Sequence, residues 1–196
     1  AQQQRSLASS GHSHTFVHSS RSEIARSLDG KSFHDPERNY TYRYSFHPTN
    51  GLSVSIPGKV DKSFPLQFAL GSGTHAVTFL TLAPNRKADG TVETIGIEHR
   101  ASVFPLAGEN RLRITPGQQK LKADQQLTEF GSVENGIRLE KWIACHTTSG
   151  QIDRLSVVDL RENVSCENCH GPGSKHVAAA ERHIDNPGHL RFKTAE

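Results

Sequence analysis

The middle of the chain alternates between apolar and polar residues in the pattern of β-strands. Between Tyr40 and Phe46 aromatic residues occupy every second position, and the same period of two returns at 52–56. Side chains two positions apart in a strand share a face, so both segments predict strands with one buried face. The turn-forming residues at 48–51 lie between them and predict a hairpin. Further strands are predicted at 66–70, 76–82, 91–98 and 101–105.

The two ends of the chain lack this alternation. A short helix is predicted from Arg21 to Leu28, followed by the stop signal Asp29-Gly30. Residues 127–142 predict loop and short helix, and residues 176–182 are mostly strong helix formers. We therefore expect an α+β fold in one compact unit. Its parts are an N-terminal arm with a short helix at 1–39, a β-rich segment at 40–118 and a loop-and-short-helix region at 119–196.

The low apolar content of the chain favours a protein whose core includes a bound cofactor. Of the 196 residues, 34% are hydrophobic, and the mean hydropathy is -0.58, which is low for a core built from side chains alone. The formal charge of +3 comes without a basic cluster, so nucleic-acid binding is not predicted, and no apolar run is long enough to cross a bilayer. Histidine, the commonest side-chain metal ligand, occurs 12 times, whereas methionine is absent. A large apolar cofactor would supply part of the apolar core that the side chains lack.

The strongest chemical signal is a Cys-x-x-Cys-His motif formed by Cys166, Cys169 and His170. Two thiols at this spacing add to the two vinyl groups of one porphyrin edge, and the next histidine becomes the proximal iron ligand of haem c. Two other interpretations exist. The cysteines can form a local redox disulfide, or they can join Cys145 and His146 around zinc. Haem is favoured, because the motif lacks the βαβ context of thioredoxin-like sites and zinc leaves the other histidines unexplained.

A second, incomplete motif precedes the first. Cys145-His146 has the form of the back half of a haem site, with Trp142 where its first cysteine would stand. One interpretation is a haem held by a single thioether to Cys145, with His146 as proximal ligand. The site can also have lost its haem and kept a free thiol, or Cys145 can form a different covalent link. The single-thioether haem is favoured because the cysteine–histidine pair is intact.

These segments resemble a known family. The sequences WIACHTT at 142–148 and NVSCENCHGPGSKHV at 163–177 are similar to the core of multihaem c-type cytochromes. That family is related to the tetrahaem electron carriers of ammonia oxidation and to hydroxylamine oxidoreductase. Ser10-Gly11-His12 resembles its Ser-x-His segment, and LGSGTHAVTF at 70–79 resembles a glycine-rich strand of one subgroup. This chain has a single complete haem motif where family members have several. Two interpretations follow: the protein has been reduced to one or two haems, bound in the end regions of the chain, or the chain is a fragment of a longer multihaem protein.

The sixth ligand of each haem iron is expected to be histidine, because the chain has no methionine. The resemblance implies His176 and His12 as distal ligands. His176 is close in sequence to the complete motif, so it is expected to reach a neighbouring haem, such as one on His146. His75 is a further candidate, because the glycines beside it let backbone approach a flat cofactor.

Three functions follow. The first is electron transfer through bis-histidine haem, between redox partner proteins or between neighbouring subunits of a homo-oligomer or polymer. The second is a haem enzyme or small-ligand-binding protein, with an open iron position at the single-thioether haem. The third is a structural or metal-binding β-module. No constellation for a non-haem reaction is seen. Covalent haem, together with the polar start Ala1-Gln2-Gln3-Gln4, predicts a secreted protein of the periplasm or the extracellular space.

Overall fold

The computed structural model describes residues 10–106, 108–119 and 127–170, and most of these residues lie in strands. The strands are β1 (Phe16–His18), β2 (Ser32–Asp35), β3 (Tyr40–His47), β4 (Gly51–Ile56), β5 (Val60–Leu66), β6 (Phe68–Leu70), β7 (Thr78–Arg86), β8 (Val92–His99), β9 (Ala101–Leu106), β10 (Glu109–Ile114), β11 (Leu127–Thr128), β12 (Gly131–Glu134), β13 (Ser149–Asp153) and β14 (Ser156–Arg161). The helices are α1 (Glu23–Arg26), α2 (Gly136–His146) and α3 (Cys166–His170), with 3-10 turns at Gly11–His14 and Ser19–Arg21. The described fold is therefore mixed but mostly β. No helix among these residues is long and apolar enough to cross a membrane.

Two antiparallel sheets form the body of the molecule. A six-stranded sheet has the order β1-β6-β7-β8-β12-β11, and a four-stranded sheet has the order β2-β3-β4-β5. Two further hairpins, β9–β10 and β13–β14, form separate two-stranded sheets. The N-terminal strand β1 lies at one edge of the larger sheet and pairs with β6.

The larger sheet is buried on both faces. Phe79 belongs to a cluster shared with Tyr42 and Val54 of the smaller sheet. Its neighbour Leu80 belongs to a second cluster, formed with Leu139 and other residues of β1, β6, β7 and α2. Successive strand residues point to opposite faces, so β7 supplies both clusters. The result is three layers, in which α2 and the β13–β14 hairpin cover the outer face of the larger sheet.

Several predicted elements are confirmed. β3 and β4 form the expected antiparallel hairpin, with Tyr44 opposite Val54. α1 lies within the helix predicted from Arg21 to Leu28. The other four predicted strands correspond to β6, β7, β8 and β9, with ends shifted by a few residues. The helix predicted at 176–182 lies outside the described residues.

The end regions contain more strand than the sequence predicted. β1 belongs to the larger sheet and β2 to the smaller one, although residues 1–39 predict an arm with a short helix. β11, β12 and the β13–β14 hairpin lie in the region that predicts loop and short helix. Strands of two to four residues have too few positions to show a period of two. β14 is long enough, but its exposed and half-buried residues do not alternate strictly. Its pattern therefore gave no strand signal.

His99 is a fully buried histidine whose ring packs edge-on against Tyr42 and Tyr44, in the core between the two sheets. Its Nδ1 lies 2.9 Å from the carbonyl oxygen of Phe130, and its Nε2 lies 2.9 Å from the hydroxyl of Tyr44. A carbonyl can only accept, so Nδ1 carries the proton and Nε2 accepts from the tyrosine. Burial lowers the pKa of His99 to about 4, and the hydrogen bond to Phe130 opposes this only in part. The ring is therefore neutral in the folded protein.

This burial makes stability depend on pH. In the unfolded chain a histidine titrates near pH 6.5, whereas folded His99 titrates near 4. Below pH 6.5 the unfolded state binds a proton that the native state does not, so acidification to pH 4 is expected to cost about 3 kcal/mol from this residue. The lowered pKa values of His18 and His146 act in the same direction, and the raised pKa of the buried Glu98 acts in the opposite one.

The measurement is the free energy of unfolding in urea at pH 7.0, 5.5 and 4.5, for the wild type and for His99→Phe. The variant is expected to be less stable at neutral pH, because the Tyr44 hydroxyl and the Phe130 carbonyl lose their partner. Its stability should also fall less steeply with acid. Equal slopes for the two proteins would contradict the assignment to His99.

Candidate functional site

The Cys-x-x-Cys-His motif forms the short helix α3. Ser165 precedes it, and its hydroxyl accepts a hydrogen bond of 3.3 Å from the backbone N–H of Glu167. Positions 166 and 169 are three residues apart in this helical turn and so fall on one face. Cys166 is exposed and has no disulfide partner. A thiol on an open face suits attachment to a large planar group.

The incomplete motif ends the longer helix α2. Leu139 and Ile143, four residues apart, are buried against the larger sheet and fix the orientation of the helix. Cys145 is exposed and unpaired, whereas Trp142 packs against the second cluster. Trp142 is three residues before Cys145, the same spacing that separates Cys166 from Cys169. The tryptophan therefore fills the position of the missing cysteine and contributes to the core.

His146 is half-buried beside this tryptophan, with the two ring centroids 6.1 Å apart. Its Nδ1 is buried and has no hydrogen-bond partner in the described part of the chain. Burial lowers the pKa of His146, and a contact with the backbone of Thr15 partly offsets this effect. The ring is therefore held neutral, the form in which imidazole binds a metal.

Hydrogen bonds tie the two cysteine-bearing helices together. The hydroxyl of Thr148 donates to the carbonyl oxygen of Asn163 at 2.8 Å and accepts from the backbone N–H of Ser165 at 2.9 Å. The backbone N–H of Thr148 donates to the carbonyl oxygen of Arg161 at 3.0 Å. Thr148 thus fixes the chain that follows His146 against the chain that precedes Cys166.

The N-terminal segment at 12–16 packs against the same two cysteine-bearing segments. Val164 donates its backbone N–H to the carbonyl oxygen of His12 at 2.9 Å. Asn163 and Phe16 exchange two hydrogen bonds, of 3.0 and 3.1 Å. The hydroxyl of Thr15 donates to the carbonyl oxygen of His146 at 2.8 Å. His12, whose side chain is exposed, is therefore held beside both motifs by its neighbours.

The glycine-rich segment also reaches this region, and Gly71 makes a close backbone contact within the chain itself. Gly71 donates its backbone N–H to the carbonyl oxygen of Thr15 at 2.9 Å. At its φ of +120° a Cβ would lie 2.2 Å from the carbonyl oxygen of Ala76. Glycine is thus required at position 71 for a close approach of backbone to backbone. His75, in the same loop, is exposed.

The sequence-predicted residues are brought together only in part. Hydrogen bonds of Thr15, Thr148 and the His12 backbone join the chain segments that carry Cys145, His146, Cys166 and His12. His176 lies outside the described residues, as do the side chains of Cys169 and His170. Within the described residues no three His, Cys, Asp or Glu side chains are close enough to hold a metal ion. A haem iron takes at most two protein ligands, so it does not need such a group.

Sequence reasoning did not find the residues that assemble this region. Thr15, Thr148 and Asn163 make the connecting hydrogen bonds, and the contact of Thr15 with His146 spans 131 positions of sequence. The one local signal is Asn163, whose φ of +64° is a left-handed conformation that asparagine tolerates better than most residues. No periodicity reveals contacts between residues so far apart.

The chain was compared with protein-family models, with curated proteins and with solved structures, and none of the three comparisons found a match. The resemblance to multihaem cytochromes therefore depends on the sequence segments at 10–12, 70–79, 142–148 and 163–177 alone. The case for a function has to come from the chemistry of the two cysteine motifs and from the contacts around them.

Proposed function

We propose that the protein is a c-type cytochrome that transfers electrons. One haem would be attached to Cys166 and Cys169 with His170 as proximal ligand, and a second to Cys145 alone with His146. Bound haem iron supplies a centre that gains and loses one electron at a time. The observation that carries the proposal is the Cys-x-x-Cys-His motif in a helical turn, with Cys166 exposed and unpaired.

The arrangement of the incomplete motif supports the second site. The thiol of Cys145 is exposed at the end of α2, where nothing in the described chain competes for it. The buried, unpartnered Nδ1 of His146 costs about 1–3 kcal/mol as it stands, which favours a role for this ring beyond packing. Because Trp142 has no thiol, this site offers a porphyrin only the one thioether bond of Cys145, and the indole ring packs against the second cluster.

The distal ligands would be histidines, since the chain has no methionine. His12 is the best supported, because its backbone contacts Val164, two residues before Cys166. His176 and His75 are the other two candidates. Ligation by two histidines gives a lower potential than a histidine–methionine pair. The protein would then accept electrons from low-potential redox partner proteins or from a second copy of itself, outside the cytoplasm.

The test is the intact mass of the protein produced in a host with periplasmic haem-attachment machinery, together with its reduced pyridine haemochrome spectrum. Two attached haems and an alpha band shifted from that of ordinary haem c are expected. The iron should be low-spin and should not bind carbon monoxide. A high-spin fraction that binds carbon monoxide would favour the haem enzyme or small-ligand protein instead. A mass without haem would overturn the proposal.

A further inference from the structure

A cleft of about 470 Å³ opens beside the candidate haem segments, between the end of β1, the start of β6 and the β13–β14 hairpin. Small-molecule sites commonly enclose about 300–1,000 Å³, so a ligand of modest size fits. Apolar side chains form one part of its lining: Phe68, Leu155, Val157 and Leu160. The other six lining residues are polar or charged: His18, Ser20, Arg21, Thr49, Gln67 and Ser156. The cleft therefore suits a ligand with an apolar ring and polar substituents.

His18 gives this cleft one oriented hydrogen-bond donor. Its Nδ1 accepts from the backbone N–H of Ser20 at 3.3 Å and lies 2.8 Å from the Ser20 hydroxyl. Burial and the charge of Arg21 lower the pKa of His18, so the ring is neutral at neutral pH. A neutral ring whose Nδ1 accepts must carry its proton on Nε2. No group in the described part of the chain accepts from that Nε2–H, which leaves it available to a ligand.

The charges at the cleft are already balanced. Arg21 forms an ion pair with Glu162, whose carboxylate also accepts from the backbone N–H of His18 at 2.8 Å. Glu162 is mostly buried, with 15% of its side chain exposed. An anionic ligand would have to compete with this carboxylate for Arg21. The site therefore favours a neutral ligand that offers an acceptor oxygen to His18.

An aromatic pair connects the cleft with the candidate haem segments. The ring of Phe68, in the cleft wall, stacks on that of Phe16 with centroids 4.9 Å apart. Phe16 is fully buried; its backbone N–H donates to the side-chain oxygen of Asn163, and its carbonyl accepts from the Asn163 backbone N–H, three residues before Cys166. A ligand in the cleft would thus be separated from the haem-binding chain by a short, packed and apolar layer.

We propose that this cleft binds a quinone or its quinol, with the Nε2–H of His18 donating to a ring oxygen. The apolar part of the lining, the oriented neutral donor of His18 and the pairing of Arg21 with Glu162 match this class. The choice of a redox-active ligand rests on the proposed electron-transfer function. Oxidation of one quinol would release two electrons, taken up singly by two ferric haem irons, and two protons, which leave to solvent through the open mouth of the cleft.

Binding can be measured by equilibrium dialysis of the purified protein against 2-methyl-1,4-naphthoquinone and against 2-methylnaphthalene, which has no oxygen. The wild type is expected to bind the quinone about five- to tenfold more tightly, the value of one hydrogen bond. In His18→Phe the two probes should bind alike. Val157→Phe should weaken both, because it fills the cleft. His34→Phe, which changes an exposed histidine on β2, is the matched control and should leave both affinities unchanged.

Equal binding of the two probes to the wild type, or a preference for the quinone that survives in His18→Phe, would overturn the site. So would quinone affinity that Val157→Phe does not change. The haem function is decided separately, by mass and haemochrome, and its failure would leave the dialysis result intact. If haem-loaded protein binds the quinone but the corresponding quinol does not reduce its iron, the redox part of the proposal is wrong.

Discussion

Replacing Arg100 with methionine is expected to lower the free energy of unfolding by about 3–5 kcal/mol, the cost of leaving a buried charge without its partner. The guanidinium of Arg100 is fully buried. Its Nε lies 2.7 Å from a carboxylate oxygen of Asp35, which is equally buried, and a terminal nitrogen lies 2.7 Å from Glu37. The other terminal nitrogen donates to the carbonyl oxygen of Gln118. One side chain thus joins β2 to the loops before and after the β9–β10 hairpin.

Asp35 is the reason for the large effect. Burial by itself raises the pKa of Asp35, but the hydrogen bonds from Arg100 and from the backbone N–H of Glu37 outweigh it, so this pKa lies below its ordinary value. The carboxylate therefore stays charged in the native protein at neutral pH. Without Arg100 it must remain as an unpaired buried charge, take up a proton or open the structure to water. Each of these outcomes costs stability.

Urea unfolding at pH 7 measures this effect. The matched control is Arg111→Met, since Arg111 pairs with Glu109 on the surface, where both side chains are more than half exposed. The control is expected to cost less than about 1 kcal/mol. The double variant Arg100→Met with Asp35→Asn should recover part of the loss, because the unpaired charge is gone. Equal losses of unfolding free energy in Arg100→Met and Arg111→Met would show that the buried charge cluster stabilises the protein no more than a surface ion pair does.

The fold could be predicted where the pattern of burial is regular. Tyr42, Tyr44 and Val54 alternate with exposed or half-buried residues because one face of the smaller sheet meets the core and the other meets water. In β7 this rule fails, since Phe79, Leu80, Thr81 and Leu82 are buried in succession by clusters on both faces. A run of this kind still predicts a strand. It does not reveal which of its residues faces which cluster.

The sequence predicts the reactive residues of the candidate site but not the residues whose hydrogen bonds hold them in place. Cys166, Cys145 and His146 stand out because their order along the chain carries chemistry. Thr15 and Thr148 are ordinary residues whose importance lies in hydrogen bonds to distant segments. The close approach of Gly71 to the backbone of Ala76 is likewise a contact that no local pattern reveals. Local chemistry is thus visible in the sequence, whereas the contacts that assemble it depend on the whole fold.

A cysteine at position 142 is expected to convert the proposed single-thioether haem site into an ordinary haem c site. Trp142→Cys creates a complete Cys-x-x-Cys-His motif at 142–146, with the spacing of the motif at 166–170. If Cys145 holds a haem through one thioether, the variant should form the second thioether. Its haemochrome alpha band should then move to the position of ordinary haem c, with two haems still attached by mass. Cys145→Ser should lose one haem and keep the other.

The controls separate haem chemistry from packing. Trp142 packs against the second cluster, so its removal leaves a cavity and lowers stability whatever replaces it. Trp142→Ser removes the same ring without adding a thiol and should keep the shifted band. Cys166→Ser with Cys169→Ser should lose the haem of the complete motif and retain the single-thioether spectrum. A Cys145→Ser protein with the same haem content and spectrum as the wild type would leave Cys145 without a haem. The protein would then be a cytochrome with one haem, in which electron transfer depends entirely on partners.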